Sequence, residues 1–203
     1  MKEIHVSISN ENKKLGKYIY SVSLPPVSTC YSLSCFKKCY ARRMTVYHTT
    51  VGIAWERNLN ILLSNPDKYW REVEGSIMMS NFFRYHVGGD ILNYDYFVKM
   101  CEIAARNPHN IQIVFTKKYD IVNEWIKHNG DIPSNLKVIF SGWLGYKMDN
   151  PNNLPECHVL FRDGTTEAKP NAFICNGFCQ DCAITKTGCF GVKQGDHIVI
   201  KEH

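Results

Sequence analysis

The sequence predicts a single α/β domain with a mostly parallel sheet, either open or curved into a partial βα barrel, and a Cys-rich metal-binding segment towards its C-terminal end. Three observations predict it. Residues 83–140 alternate short apolar runs with amphipathic stretches, the 203 residues show no break in composition, and the nine cysteines fall mostly into two groups. A chain of this length buries a core without crosslinks, so the cysteines are not required as staples.

Residues 4–9 and 17–24 each alternate apolar and polar positions around a polar stretch containing Gly16, which predicts a hairpin or paired strands. Pro25-Pro26 ends the second strand and leads into the first cysteine group. Apolar residues then recur at helical spacing over 49–64 (Val51, Ala54, Trp55, Leu59, Leu62, Leu63). Asn65-Pro66 reads as N-cap and first position of a second helix reaching Glu74, and the two helices are expected to cover one face of the sheet. Next come strand 83–87, helix 94–106, strand 111–115, helix 121–128 and strand 136–140. Strands alternating with helices imply parallel βαβ units with right-handed crossovers. Residues 157–161 and 197–201 add two further strands. The single domain thus divides into strands and first cysteine group (1–48), helices and βα units (49–165) and the Cys-rich segment (166–203).

The start of the chain has no apolar signal region, and no stretch approaches the roughly 20 apolar residues of a membrane span. A cytoplasmic location and no membrane partner are expected. In a reducing compartment, clustered cysteines are metal ligands or reactive thiols more often than disulfides. The net charge of +5 permits contact with phosphates, but its densest group, Lys37, Lys38, Arg42 and Arg43, reads first as a solvated loop.

Cys175, Cys179, Cys182 and Cys189 lie within fifteen residues, broken by Gly177 and Gly188, so a tight loop can turn four sulfurs inward. Thiolates select zinc or iron-sulfur clusters, and one compact run is nearer to ferredoxin-like ligation than to two separated zinc knuckles. Zinc remains the alternative metal. Cys30, Cys35 and Cys39 supply three local thiols, one short of a closed shell, which leaves a metal position open for substrate or cofactor. Cys101 shares a helix face with Phe97 and reads as core, and Cys157, beside His158, is a reserve fourth ligand. Gly88-Gly89-Asp90 ends a predicted parallel strand, where α/β sheets receive ligands, and Phe115-Thr116-Lys117 and Ser141-Gly142-Trp143 follow the next two strands on the same rim. Asp90 and Lys117 are the candidate catalytic residues, and Gly88, Gly89, Asp90 and Thr116 the candidate cofactor-binding residues. His86 points either into the sheet's interior or towards this rim.

A strand, three cysteines, a helical stretch and a strand ending Gly88-Gly89-Asp90 resemble the layout of radical S-adenosylmethionine enzymes. That resemblance implies a 4Fe-4S cluster on the three cysteines and S-adenosylmethionine at the glycine motif. The cysteine spacing differs from the usual one, and Asp90 stands where Glu is commoner. TCYSLSCFKKCYARR, FRYHVGGDILNYDYFVKMCEIAARNP, IQIVFTKKYD and the tail ending GVKQGDHIVIKEH are similar to an uncharacterised phage family named for gene product eighty-eight of a mycobacteriophage. This second resemblance implies a phage or mobile-element origin and no particular reaction.

The function expected is an iron-sulfur redox or radical-SAM-like enzyme, an oxidoreductase with one open and one closed auxiliary 4Fe-4S cluster. It would act on a small molecule and draw electrons from a ferredoxin or flavodoxin. Two other classes stay open: a metal-braced phage nucleic-acid-binding or regulatory protein, using aromatics such as Tyr31, Phe36, Tyr40 and Tyr47, and a pure electron-transfer protein.

Overall fold

The computed structural model describes residues 3–10, 12–30 and 34–202. Eight strands form one open sheet in the order β1-β2-β3-β4-β5-β6-β8-β7. The strands are β1 (Ile8–Ser9), β2 (Ile19–Val22), β3 (Phe82–Tyr85), β4 (Ile111–Thr116), β5 (Leu136–Ser141), β6 (Glu156–Leu160), β7 (Phe173–Ile174) and β8 (His197–Lys201). Only β1 runs antiparallel, against β2, and it supplies the expected hairpin with just two paired residues. All other pairings are parallel. The sheet does not close, so the open alternative is the one found.

Strands β2 to β6 lie side by side in chain order. Right-handed crossovers between successive neighbours put the long connecting helices on the same face, as in a partial barrel. Those helices are α3 (Thr49–Ser64), α4 (Pro66–Met78), α5 (Tyr94–Arg106) and α6 (Tyr119–Asn129). Their apolar stripes join Phe83, Tyr85, Val114, Val138 and Phe140 of the sheet in one large core. Asn65 caps α4 by accepting from Lys68 N at 3.1 Å, with Pro66 in the first turn as expected. The helix runs on past Glu74 because Ile77 continues the buried stripe of Tyr69, Trp70 and Val73, while Gly75 meets no neighbour. Asn93 caps α5 in the same way through Tyr96 N, and Asp95 and Arg106 complement the dipole at its two ends. Cys101 is core, as its place on α5 predicts.

The opposite face has no long helix. Ile113, Ile139 and Ile198 point that way, and the chain covers them with residues 12–16 and the Cys-rich tail, giving two small apolar clusters. Short helices serve this side: α1 (Pro26–Thr29), α2 (Tyr40–Tyr47), α7 (Cys179–Thr185) and α8 (Gly188–Gly191). No helix among the described residues is long and apolar enough to cross a membrane.

Candidate functional site

A cavity of about 260 Å³ opens on the second face, at the C-terminal ends of β3, β4 and β5. Its floor is the sheet itself, through Arg84, Phe115, Ser141 and Val159. Cys30, Cys35 and Cys39 line it from one side of the chain, and Cys175, Cys179 and Cys189 from the other. All nine cysteines are free thiols.

Local bonding explains where the first three stand. Cys30 follows α1, whose Thr29 hydroxyl donates to Pro25 O at 2.8 Å and accepts from Asp90 N at 3.1 Å. This stitches the first cysteine segment to the glycine motif. Cys35 lies in a 3-10 turn spanning Ser34–Lys38, and Cys39 caps α2 through its sulfur, which accepts from Arg42 N at 3.5 Å. In the tail, Cys175 extends β7 by donating its N–H to Val199 O at 2.8 Å, and Cys179 N donates to Lys14 O at 3.2 Å. Cys182 does not line the cavity; it packs with Leu15, Ile19 and Phe190, close under Gly188. Cys157 instead shares an apolar cluster with Cys175 and Cys189.

Among the described residues, no three cysteine sulfurs lie within 4.8 Å of one another, so the thiols share a space without converging on one point. Burial pushes the Cys30 thiol up to about 12, and Asp90 and Cys39 add to the effect. Burial likewise pushes Cys157 up to about 12 and raises Cys35, Cys179, Cys182 and Cys189. A neutral thiol is therefore the resting form, and ionising several together needs a cation among them. The thiols that line the cavity are soft donors of the kind such a group would take. Lys14, Arg84 and Lys117 are also in the lining and would offset the negative charge of a thiolate-bound centre.

The glycine motif is held by packing as much as it is open. A Cβ on Gly88 would lie 2.3 Å from the Trp55 ring. Gly89 has φ +84°, and a Cβ there would meet Leu24 O at 2.5 Å. Asp90 Oδ1 accepts from Thr116 Oγ1 at 2.6 Å and Ile91 N at 2.8 Å, and Oδ2 accepts from Lys117 N at 2.9 Å. The carboxyl ties the ends of β3 and β4 together, and burial raises its pKa against those hydrogen bonds. Thr116 is committed to this tie and lies outside the cavity lining, whereas Asp90 and Lys117 are in it. Lys117 Nζ donates to Ser141 Oγ at 2.7 Å. His86, at φ 59°, packs its ring beside Tyr85 and Tyr96 and is also among the residues lining the cavity; both ring nitrogens are buried without a partner.

Sequence reasoning missed Arg84 and Glu202, and read Lys38 only as part of a solvated basic loop. Arg84 had a signal: a charge inside a buried strand, on the face opposite Phe83 and Tyr85. Its guanidinium lies 5.0 Å from the Phe115 ring centroid, and its buried Nε has no partner. Lys38 pairs with Glu202 at 2.8 Å and so ties the first cysteine segment to the end of β8, a link no local pattern reveals. Tyr31 lies outside the described residues.

No curated protein and no solved structure matches the chain. The family model described as Gene product 88 matches residues 5–195, and the chain belongs to that family.

Proposed function

We propose that this member of the Gene product 88 family is an iron-sulfur protein, and that its centre serves a redox or radical-SAM-like enzyme acting on a small molecule. One observation carries the reading. Six free thiols from two stretches far apart in sequence line a single cavity at the strand-end rim of a parallel sheet, among basic side chains. Cys30, Cys35 and Cys39 are the three-thiol set that leaves a metal position open. Cys175, Cys179 and Cys189 form the auxiliary set; Cys157 is the better supported fourth member, because it packs with Cys175 and Cys189 while Cys182 packs among core residues.

When bound, the cluster supplies single electrons at low potential. The chain's own residues do the rest. Lys117 and Arg84 favour a substrate carrying carboxylate or phosphate. Asp90 keeps acceptor capacity on Oδ2 for an amine, which is what S-adenosylmethionine would present there. The apolar walls supplied by Phe115, Val159 and Ile200 limit water.

Purification without oxygen, followed by iron and sulfide analysis and a visible spectrum, tests the reading directly. Expected are iron and sulfide in equal amounts, with the open centre's share of both lost, and the auxiliary share kept, when Cys30, Cys35 and Cys39 are changed to Ser. A colourless protein with stoichiometric zinc overturns it in favour of a metal-braced fold. With iron present, reductive cleavage of S-adenosylmethionine separates the enzyme from pure electron transfer. The nucleic-acid reading has less support, since Lys38 is paired with Glu202 and the Arg42 guanidinium sits 5.5 Å from the Phe36 ring centroid.

A further inference from the structure

We infer that Glu156, His158 and His197 form a second metal site, for one first-row divalent cation, on the face of the sheet turned away from the cysteine cavity. The register makes it. Glu156 and His197 are direct partners across β6 and β8, and His158 is two residues along β6 on the same face. Cys157, between Glu156 and His158, points to the other face and joins the cysteine side.

One ligand atom from each of the three residues lies within 4.8 Å of the other two. Glu156 Oε2 is hydrogen-bonded to His158 Nε2 at 2.8 Å and lies 3.5 Å from His197 Nδ1. The second separation is beyond an ordinary N–H···O hydrogen bond, and it is close to the roughly 3.4 Å edge of a tetrahedron with about 2.1 Å metal-ligand bonds. His197 is buried, and its Nδ1, aimed at Glu156, has no hydrogen-bond partner. A buried polar atom with no partner costs free energy unless something not yet counted satisfies it. A cation between the three would do so.

The surroundings are built to hold the groups in place. Glu156 Oε1 accepts from Asn150 Nδ2 at 2.9 Å, which orients the carboxylate as an outer-shell partner does. The two imidazoles lie nearly parallel, 11° apart with centroids at 5.8 Å, so both face the carboxylate. A Cβ on Gly142 would come within 2.5 Å of His158 Nδ1, so that backbone must be glycine for the ring to lie where it does. Two imidazoles and one carboxylate suit zinc or iron(II), and three protein ligands leave at least one coordination position open.

Zinc ion titrated into the full-length protein with 15N-labelled histidine, followed by long-range proton-nitrogen spectra, reads the ligands one by one. Expected are shifts at His158 Nε2 and His197 Nδ1 that saturate at one equivalent beyond any zinc held by thiols. Glu156→Gln and His197→Gln, checked for folding by circular dichroism, should each weaken that event at least about tenfold. Both imidazoles unmoved at saturating zinc, in the wild-type chain, overturns the inference. Because the readout is on histidine nitrogens, it stands or falls separately from the iron-sulfur proposal.

Discussion

The two faces of the sheet are built on different principles. Under the helices lies one continuous core in which Tyr69, Ile77, Phe83, Tyr85 and Phe97 are fully buried and aromatic rings meet edge to face, as Tyr69 does with Trp70 at 5.1 Å. Under the cysteine segments lie two small apolar clusters beside a cavity whose floor carries an arginine with an unpartnered Nε. The contrast teaches that one face holds the fold, and this leaves the other free to keep unpaired thiols and charges that a core would exclude.

Truncations on the two faces test that division most strongly. Phe97→Ala removes a fully buried ring and should cost about 3–5 kcal/mol in urea unfolding. Cys35→Ser, half-buried at the cavity, should cost less than about 1 kcal/mol in metal-free protein. Similar losses for the two would erase the contrast. Gly88→Ala strikes the seam between the faces: its methyl would collide with Trp55, so a loss of about 1–3 kcal/mol and a shifted tryptophan emission are expected.

Acid should act through the helical face, because burial, with Arg84 adding to it, depresses His86 from 6.5 to about 3. The folded state keeps this ring neutral, whereas the unfolded chain takes a proton below about 6.5. Stability is therefore fully present above that value and falls as the pH drops towards about 3, by at most roughly 1.4 kcal/mol per unit. Urea midpoints near pH 7 and near pH 4.5 should differ less in His86→Asn, a residue that tolerates the left-handed backbone. The smallest effect belongs to the partly exposed Arg106–Glu74 pair, bonded at 2.9 Å twice over. Arg106 holds the Glu74 carboxyl below its usual range, aided by Asn107, so this pair stabilises at neutral pH and fails as acid protonates Glu74. Arg106→Ala should cost about 0.5–1 kcal/mol, seen as a Tm lowered by roughly 1–4 °C.

The helical face was legible because its information is local. Asn65-Pro66, the stripe on α5 and the apolar strands at 111–115 and 136–140 each announce their element through neighbours a few residues away. Strand β7 was not legible: it is two exposed residues, Phe173 and Ile174, held only by pairing with β8. The cysteine motifs and the rim residues Asp90 and Lys117 could be read from spacing and strand ends. That Cys30 and Cys175 face one cavity could not, since it depends on where the tail crosses the sheet. His158 and His197 come together only through the register of β6 on β8, which the alternation of each strand does not disclose by itself.

That order of pairing also sets a schedule for biosynthesis. Strand β7 leaves the ribosome before β8 yet has no other partner, and β8 lies between it and β6. Until residue 201 has emerged, the tail thiols have no strand to anchor them and the Lys38–Glu202 tie cannot form. Any inorganic centre that needs both groups of sulfur can thus be installed only after β8 has been translated.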